Sequence, residues 1–528
     1  MLACRYHAQT HPVEGLMQAL ENFDEFVLET LNKWQVPGIA IGVVKDQQVI
    51  LNKGYGYRDL AGHKPVTRQT HFQLASITKS FTATGAAMLV DQGKLNWDTP
   101  VREYLPEFQL SDAQISEKIT MRDLLAHLSG LPRHDMLWML TGYSREEVFS
   151  RLRYLDFSAD LRQKWQYNNL MYMVAGYLIG RLANSRWEDF MHQQIFSPLG
   201  MQSTHFLREK KNLADMAKPY YLDNGKRKIA KLEWDAKNAC APAGHIISNI
   251  DDMLHYLKFH LNLGLHGEQQ LVSQENCKTL HSPQAIIDEP QDFKEIGPVS
   301  TCLGFQSSTY RGHRYVHHDG SSIGYATRMS FMPAQKFGFI LLSNMLGFND
   351  ENPVPWLIAR NLEDRLLGLD QIDWHSRLQK KLKQSRLMQQ EASKREQDSI
   401  VKGTQPSHAL SEYVGIFEHP AYGRIRIKKP AKKPAAIFNW DFNGVKSVIN
   451  HHHYDSFASP PDVPYVVDPL CSRILTFHAN DNGEIDKLTT SMELGLADAT
   501  FHRVADTSSR VGKPLKKSDN RALNEWQN

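Results

Sequence analysis

The order of strand-like and helix-like segments predicts an α/β domain followed by a separate all-β domain. Ile39-Ala-Ile-Gly-Val-Val44 and Val49-Ile-Leu51 flank the polar turn Lys45-Asp-Gln-Gln48 and read as a β-hairpin near the start. Strand patterning returns only at Tyr325–Phe331 and Phe337–Leu342, after a long helical stretch. This β, α, β order predicts one antiparallel sheet built from both ends of the domain, flanked by helices, with a helical region inserted.

Each element follows from local pattern. From Ile77 to about Gln92 the spacing is helical, and Gly93 fits a C-terminal stop. The middle third, from about Met121 to Leu263, is mostly helical and broken by Gly/Pro turns. Residues 371–407 are polar and rich in Lys, Gln, Arg and Glu, which predicts an exposed helix or linker. Beyond it, Tyr413–Phe417, Gly423–Ile427, Ala436–Trp440, Arg473–Phe477 and Lys487–Thr490 are short strand-like runs separated by turns, the cadence of a small β-barrel or sandwich. The expected divisions are 1–370, 371–407, 408–505 and a disordered tail over 506–528.

Composition excludes several classes. A chain of 528 residues with 41% apolar residues supports two or three domains with real cores. Its 61 Lys and Arg against 58 Asp and Glu make no case for nucleic acid, and the Lys428–Lys433 cluster reads as solvated surface. Cys4, Cys240, Cys277, Cys302 and Cys471 are scattered without CxxC spacing, so neither a disulfide framework nor a zinc site is expected; no cofactor is expected. No stretch is long and apolar enough to span a membrane. The N-terminus as written is no signal peptide, which points to the cytoplasm; Leu2-Ala3-Cys4 resembles the end of a lipoprotein signal, so a start upstream of Met1 points to export.

Ser76-Ile-Thr-Lys79 opens the first helix, and residues three apart share a helix face, which sets an amine beside a hydroxyl. Unpaired N–H groups at a helix start favour arriving negative charge. The same spacing also fits an N-cap serine with a surface lysine, and it recurs at Ser399–Lys402 in the polar segment, where nothing apolar shapes a pocket. Two further features favour chemistry at Ser76. Tyr167-Asn-Asn169 precedes an apolar helix; a tyrosine near cations can have its pKa lowered and act as a base, and Asn169 offers a donor and an acceptor. His317-His-Asp-Gly320 precedes the returning strands; His318 can donate to substrate or to the tyrosine, and Gly320 lets substrate approach the backbone.

Together these motifs resemble the penicillin-recognising serine hydrolases, a group that includes class C β-lactamases, DD-peptidases, D-aminopeptidases and family VIII esterases. Leu124-Leu-Ala-His-Leu-Ser-Gly-Leu-Pro132, Pro198–Met201, Ala243-Gly-His245 and Leu342-Ser-Asn344 are similar to family landmarks, in order, over about residues 20–370. The resemblance implies a serine hydrolase with Ser76 as nucleophile and Lys79 or Tyr167 as base. It implies the N–H groups of Ser76 and Ser321 as oxyanion donors, and Asn169 and His318 as substrate-orienting groups. The implied substrates are small esters or short peptides, including D-residue peptides; β-lactamase or DD-peptidase activity, and a non-catalytic sensor or scaffold, are the alternatives. His-Asp-Gly stands where β-lactamases carry Lys-Thr-Gly, so weak β-lactam turnover is expected. Residues 409–504 resemble the lipocalin-like domain appended to some relatives, which implies a cover over the site or homo-oligomerisation.

Four other motifs read as accidental. Gly320-Ser-Ser-Ile-Gly324 matches a nucleophile elbow at Ser322, but a strand-like run follows where a helix is needed. Ser518-Asp-Asn520 lies in the tail, His451–His453 reads as surface, and Asn480–Gly483 reads as a hairpin turn.

Overall fold

The computed structural model describes residues 19–505 apart from 140, 224, 231–237, 347–351, 431–436, 460–473 and 494. The expectations for the N-terminal leader, the 506–528 tail and Ser518–Asn520 lie outside the described residues, as do parts of the Lys428–Lys433 cluster. The chain forms two compact units that divide between residues 399 and 400.

In the first unit, strands β1 (Gly38–Lys45) and β2 (Gln48–Asp59) form the expected hairpin. Asp46 and Gln47 both take positive φ (50° and 64°), the two-residue turn whose twist matches the flanking strands. Four longer strands come from the far end: β3 (Gln306–Tyr310), β4 (His313–Ser322), β5 (Tyr325–Met332) and β6 (Phe337–Ser343). β6 lies antiparallel beside β1, with Ile39 opposite Ser343 and Lys45 opposite Phe337, which joins both ends of the domain into one nine-stranded sheet. His317-His-Asp-Gly320 therefore lies inside strand β4 rather than in a turn before the strands, and both histidines are buried.

Helices cover both faces of this sheet. Helix α1 (Phe23–Lys33) and a later helix (Val354–Leu367) bury Phe23, Val27, Leu357 and Ile358 against Ile39, Ile41, Phe339 and Leu341. On the opposite face, the helix Ile250–Leu261 lies so close to β1 that a Cβ at Gly42 would come within 2.8 Å of Ile250. The inserted region holds helix α2 (Thr78–Asp91) and helix α3 (Asn169–Ala183). It is more broken than expected: short helical turns alternate with small strand pairs such as Phe72–Gln73 beside Ile246–Ser248.

The polar segment 371–407 is mostly one helix, Trp374–Asp398, and the first unit runs on through it. Trp374, Leu378 and Leu382 recur every four residues and are buried in the sheet core. The surrounding Lys, Gln and Glu hide this narrow apolar stripe in the average composition.

The second unit is a closed eight-stranded barrel. Its strands run as an antiparallel meander, and Gly415–His419 closes it against Ala499–Val504. Val445–His453, Ser456–Ala458 and Ala499–Val504 were not among the expected strands; their histidines and small polar residues blur the alternation. Tyr413, Phe417, Phe438, Phe457 and Phe477 fill the interior, with Tyr413 and Phe477 rings 5.2 Å apart. Asn480–Gly483 is the expected hairpin turn, and His451–His453 sit half-buried in a strand.

Replacing Trp374 by alanine is expected to destabilise the first unit by about 3–5 kcal/mol, measured by denaturant unfolding. Lys394→Ala, on the exposed end of the same helix, is expected to stay within about 0.5 kcal/mol. Equal, small effects would restore the linker reading of this segment.

Candidate active site

The chain leaves the short strand Phe72–Gln73, turns sharply, and enters a 3₁₀ turn (Ala75–Ile77) that runs into α2. Ala75 makes this turn in the left-handed region, at φ 48°, a strained conformation for a residue with a Cβ. The sheet holds the turn in place. Thr327 on β5 donates its hydroxyl to the Leu74 carbonyl at 2.8 Å. A Cβ on Gly320 would stand 2.2 Å from that same carbonyl oxygen. What approaches Gly320 is thus the chain just before Ser76, and this packing requires the glycine.

Lys79 is fully buried one turn beyond Ser76, so it is no surface lysine. Its Nζ lies 3.2 Å from Ser76 Oγ, 2.8 Å from Asn169 Oδ1 and 2.8 Å from the Ala243 carbonyl oxygen. Asn169 Nδ2 donates to Asp135 Oδ1 at 2.9 Å, which orients the amide with its oxygen toward Lys79. Both ends of the Asn169 amide are therefore engaged in holding the lysine. Carbonyl oxygens only accept, so two of the nitrogen's positions must be N–H bonds. The third position faces Ser76: an N–H when the lysine is charged, a lone pair when it is neutral. Burial and the nearby Arg133 charge hold the Lys79 pKa well below its ordinary value.

Tyr167 O–H donates to Ser76 Oγ at 2.7 Å. Its ring lies 4.7 Å from Lys79 Nζ and 5.1 Å from the Arg133 guanidinium. The expected lowering of its pKa does not occur: burial outweighs the Ser76 hydrogen bond and the Arg133 charge and pushes the phenol up to about 12. Tyr167 is a proton donor at neutral pH, not a phenolate.

His318 is buried, and burial with the Lys79 charge pushes its pKa down to about 3. Its Nδ1 sits 2.7 Å from the Asp319 carbonyl oxygen, which can only accept. The neutral ring therefore carries its proton on Nδ1, and Nε2 is an acceptor, the reverse of the donor role expected from the sequence. Ser321 follows on β4, opposite Ala326. Ser322 and Tyr325 close the two-residue turn as a hydrogen-bonded pair, so alternation leaves the Ser321 N–H pointing away from β5. On that side β3 has already ended, its last partner being His317. The Ser76 N–H opens its helical turn and has no intrahelical acceptor either.

The remaining parts were not legible as site residues. Buried Asp135 accepts from Arg133 Nε (2.7 Å), Trp138 Nε1 (2.8 Å) and Asn169 Nδ2. His127, with φ 61°, packs its ring 4.5 Å from Tyr167 and accepts from the Asn168 N–H at 3.0 Å. Asn168 caps α3 and donates to the carbonyls of Leu131 and Pro132. The segment Leu124–Pro132 is thus the cradle of Tyr167-Asn-Asn169. Arg133 and Asp135 follow it directly in sequence, and that adjacency is the one signal that pointed to them. The rival serines stand apart: Ser399 and Lys402 are exposed, while Ser322 donates to Gln73 and runs into strand β5 with no helix after it.

Comparison with known proteins bears on the family. The Beta-lactamase family model matches residues 21–362, and a domain of unknown function (DUF3471) matches residues 400–503. An unguisins hydrolase of Aspergillus campestris is 30% identical over 77% of this chain and 77% of its own. Protein flp of Staphylococcus aureus is 25% identical over 62% of this chain and 63% of its own. The octameric penicillin-binding protein homologue from Pyrococcus abyssi superposes with a TM-score of 0.59 at 21% identity, covering 91% of this chain and 99% of its own. With a family match spanning the whole sheet domain and every residue of the Ser76 cluster, this chain belongs to the beta-lactamase family.

Proposed function

We propose that the protein is a serine hydrolase that cleaves small esters or short peptides, D-residue peptides included, through an acyl-enzyme on Ser76. One observation carries this reading: Asn169 Oδ1 and the Ala243 carbonyl claim two N–H bonds of Lys79, so the neutral amine has its lone pair on Ser76 Oγ. As Oγ attacks the substrate carbonyl, its proton passes to Lys79, whose three N–H bonds then all have acceptors. The Ser76 and Ser321 N–H groups are the donors for the oxyanion. The departing alcohol or amine takes the proton from the Lys79 ammonium. Water then gives a proton to Lys79, attacks the acyl group, and Ser76 recovers its hydrogen as the acid leaves. Tyr167 stays protonated and holds Oγ with its own O–H.

The neutral His318 bears on substrate class. It brings a lone pair, not a cation, to the position where β-lactamases present a lysine, so it suits a substrate N–H or O–H better than a carboxylate. The unguisins hydrolase among the relatives supports hydrolysis as the reaction type.

Three outcomes test this. A fluorophosphonate probe is expected to label the protein and Ser322→Ala but not Ser76→Ala, whose ester turnover falls by about 10³-fold or more; persistent labelling of Ser76→Ala would sink the assignment. The kcat/KM is expected to rise with pH through the lowered Lys79 pKa. Arg133→Gln removes a positive charge and moves this limb to higher pH, while Asp135→Asn removes a negative one and moves it to lower pH, each by on the order of one unit. Shifts of the same sign in both variants would exclude Lys79 as the titrating base. Last, p-nitrophenyl butyrate is expected to exceed nitrocefin in kcat/KM, and the opposite ranking would favour a β-lactamase.

A further inference from the structure

Behind α2, away from Ser76, three potential metal ligands meet in the core. His260 comes from the helix Ile250–Leu261, and Cys277 and His281 stand four residues apart on the helix Gln274–His281, hence on one face. One ligand atom from each lies within 4.8 Å of the other two, and all three residues are buried. His260 Nδ1 and His281 Nε2 face each other at 3.0 Å. Aromatic rings close the space: Tyr256 and Phe305 against His260 at 4.5 and 5.0 Å, and Phe331 against His281 at 5.0 Å.

We propose that His260, Cys277 and His281 form a binding site for a soft transition-metal ion, copper(I) ahead of zinc(II). Thiolate and imidazole are the ligands such ions favour, and bonds of about 2.0 Å to nitrogen need only a small widening of the present N···N distance. Binding releases one proton, from the Cys277 thiol. The imidazole proton now shared between the rings stays on its own ring and moves to that ring's far nitrogen. Charge decides between the ions. Copper(I) with one thiolate and two neutral imidazoles makes a neutral centre with three ligands. Zinc(II) leaves a net positive charge and needs a fourth ligand, in a dry aromatic box beside Arg314, whose guanidinium already donates to the His281 carbonyl.

The site would staple two helices that support the lysine helix. The N-terminal end of the second, at Ser273 and Asn276, is anchored to Asp91 of α2 by bonds of 2.7 and 2.6 Å. The scattered cysteines gave no hint of it, because His260 joins Cys277 and His281 only through packing.

The test uses the full-length protein, loaded with copper(I) under reducing conditions and stripped of loose metal on a chelating resin. About one copper per chain by mass spectrometry is expected, with Tm raised by about 3 °C or more. Cys302→Ser is expected to keep the copper, and Cys277→Ser and His281→Gln to lose it. Should these variants misfold, X-ray absorption of the loaded wild type decides, with one sulfur and two nitrogens expected around the copper. Less than about 0.1 copper per chain, a copper shell without sulfur, or Cys277→Ser retaining copper like the wild type would each overturn the proposal. Preferential retention of zinc in competition would overturn the choice of copper.

Discussion

Burying an amine between two carbonyl oxygens and the Ser76 hydroxyl is the constraint around which the first unit is organised. A lysine deprived of water favours its neutral form, and two acceptors at 2.8 Å dictate which way its lone pair points. Neither acceptor is local in the chain. Asn169 arrives on the first turn of α3, ninety residues later, and the Ala243 carbonyl on a short helix before the strand Ile246–Ser248. The folding of the whole helical insertion against α2 is what gives Ser76 a basic neighbour.

The groups around that amine form a closed chain of contacts. Arg133 pairs with Asp135, Asp135 holds Asn169, Asn169 holds Lys79, Lys79 and Tyr167 meet on Ser76, and Tyr167 stacks beside Arg133. Arg133 lowers the Lys79 pKa while Asp135 raises it. Burial is the larger force on both Lys79 and Tyr167, and it drives them in opposite senses: the amine toward its free base, the phenol toward its acid. One desolvated space thus assigns the two groups different proton states, although nearness to cations alone suggests a phenolate.

The sheet contributes precision. Strand β4 lies against the Leu74 carbonyl because Gly320 has no side chain, and Thr327 ties that carbonyl down. The left-handed Ala75 is held there by partners on both sides, since the Leu74 N–H also bonds the Ile246 carbonyl. Strain of this kind persists only where the surroundings over-determine it, and here it sets the direction in which the Ser76 hydroxyl leaves the backbone.

Sequence alone determined the elements whose cause is local. Periodicity gave the first hairpin, α2, the returning strands and the β-rich second unit, and the spacing of Ser76 and Lys79 gave their shared face. The ordered motifs pointed to Tyr167, Asn169, His318 and Ser321 as candidate site residues. Tertiary structure decided what depends on distant groups: that Asn169 holds the lysine, that His318 accepts rather than donates, that Tyr167 keeps its proton, and that Asp135 and a backbone carbonyl belong to the site. It also decided that Trp374, Leu378 and Leu382 make core out of a segment whose composition reads as linker. Helical and strand patterns are written by neighbours a few residues apart. Proton affinity and hydrogen-bond direction are set by desolvation and by acceptors brought from up to 164 residues away.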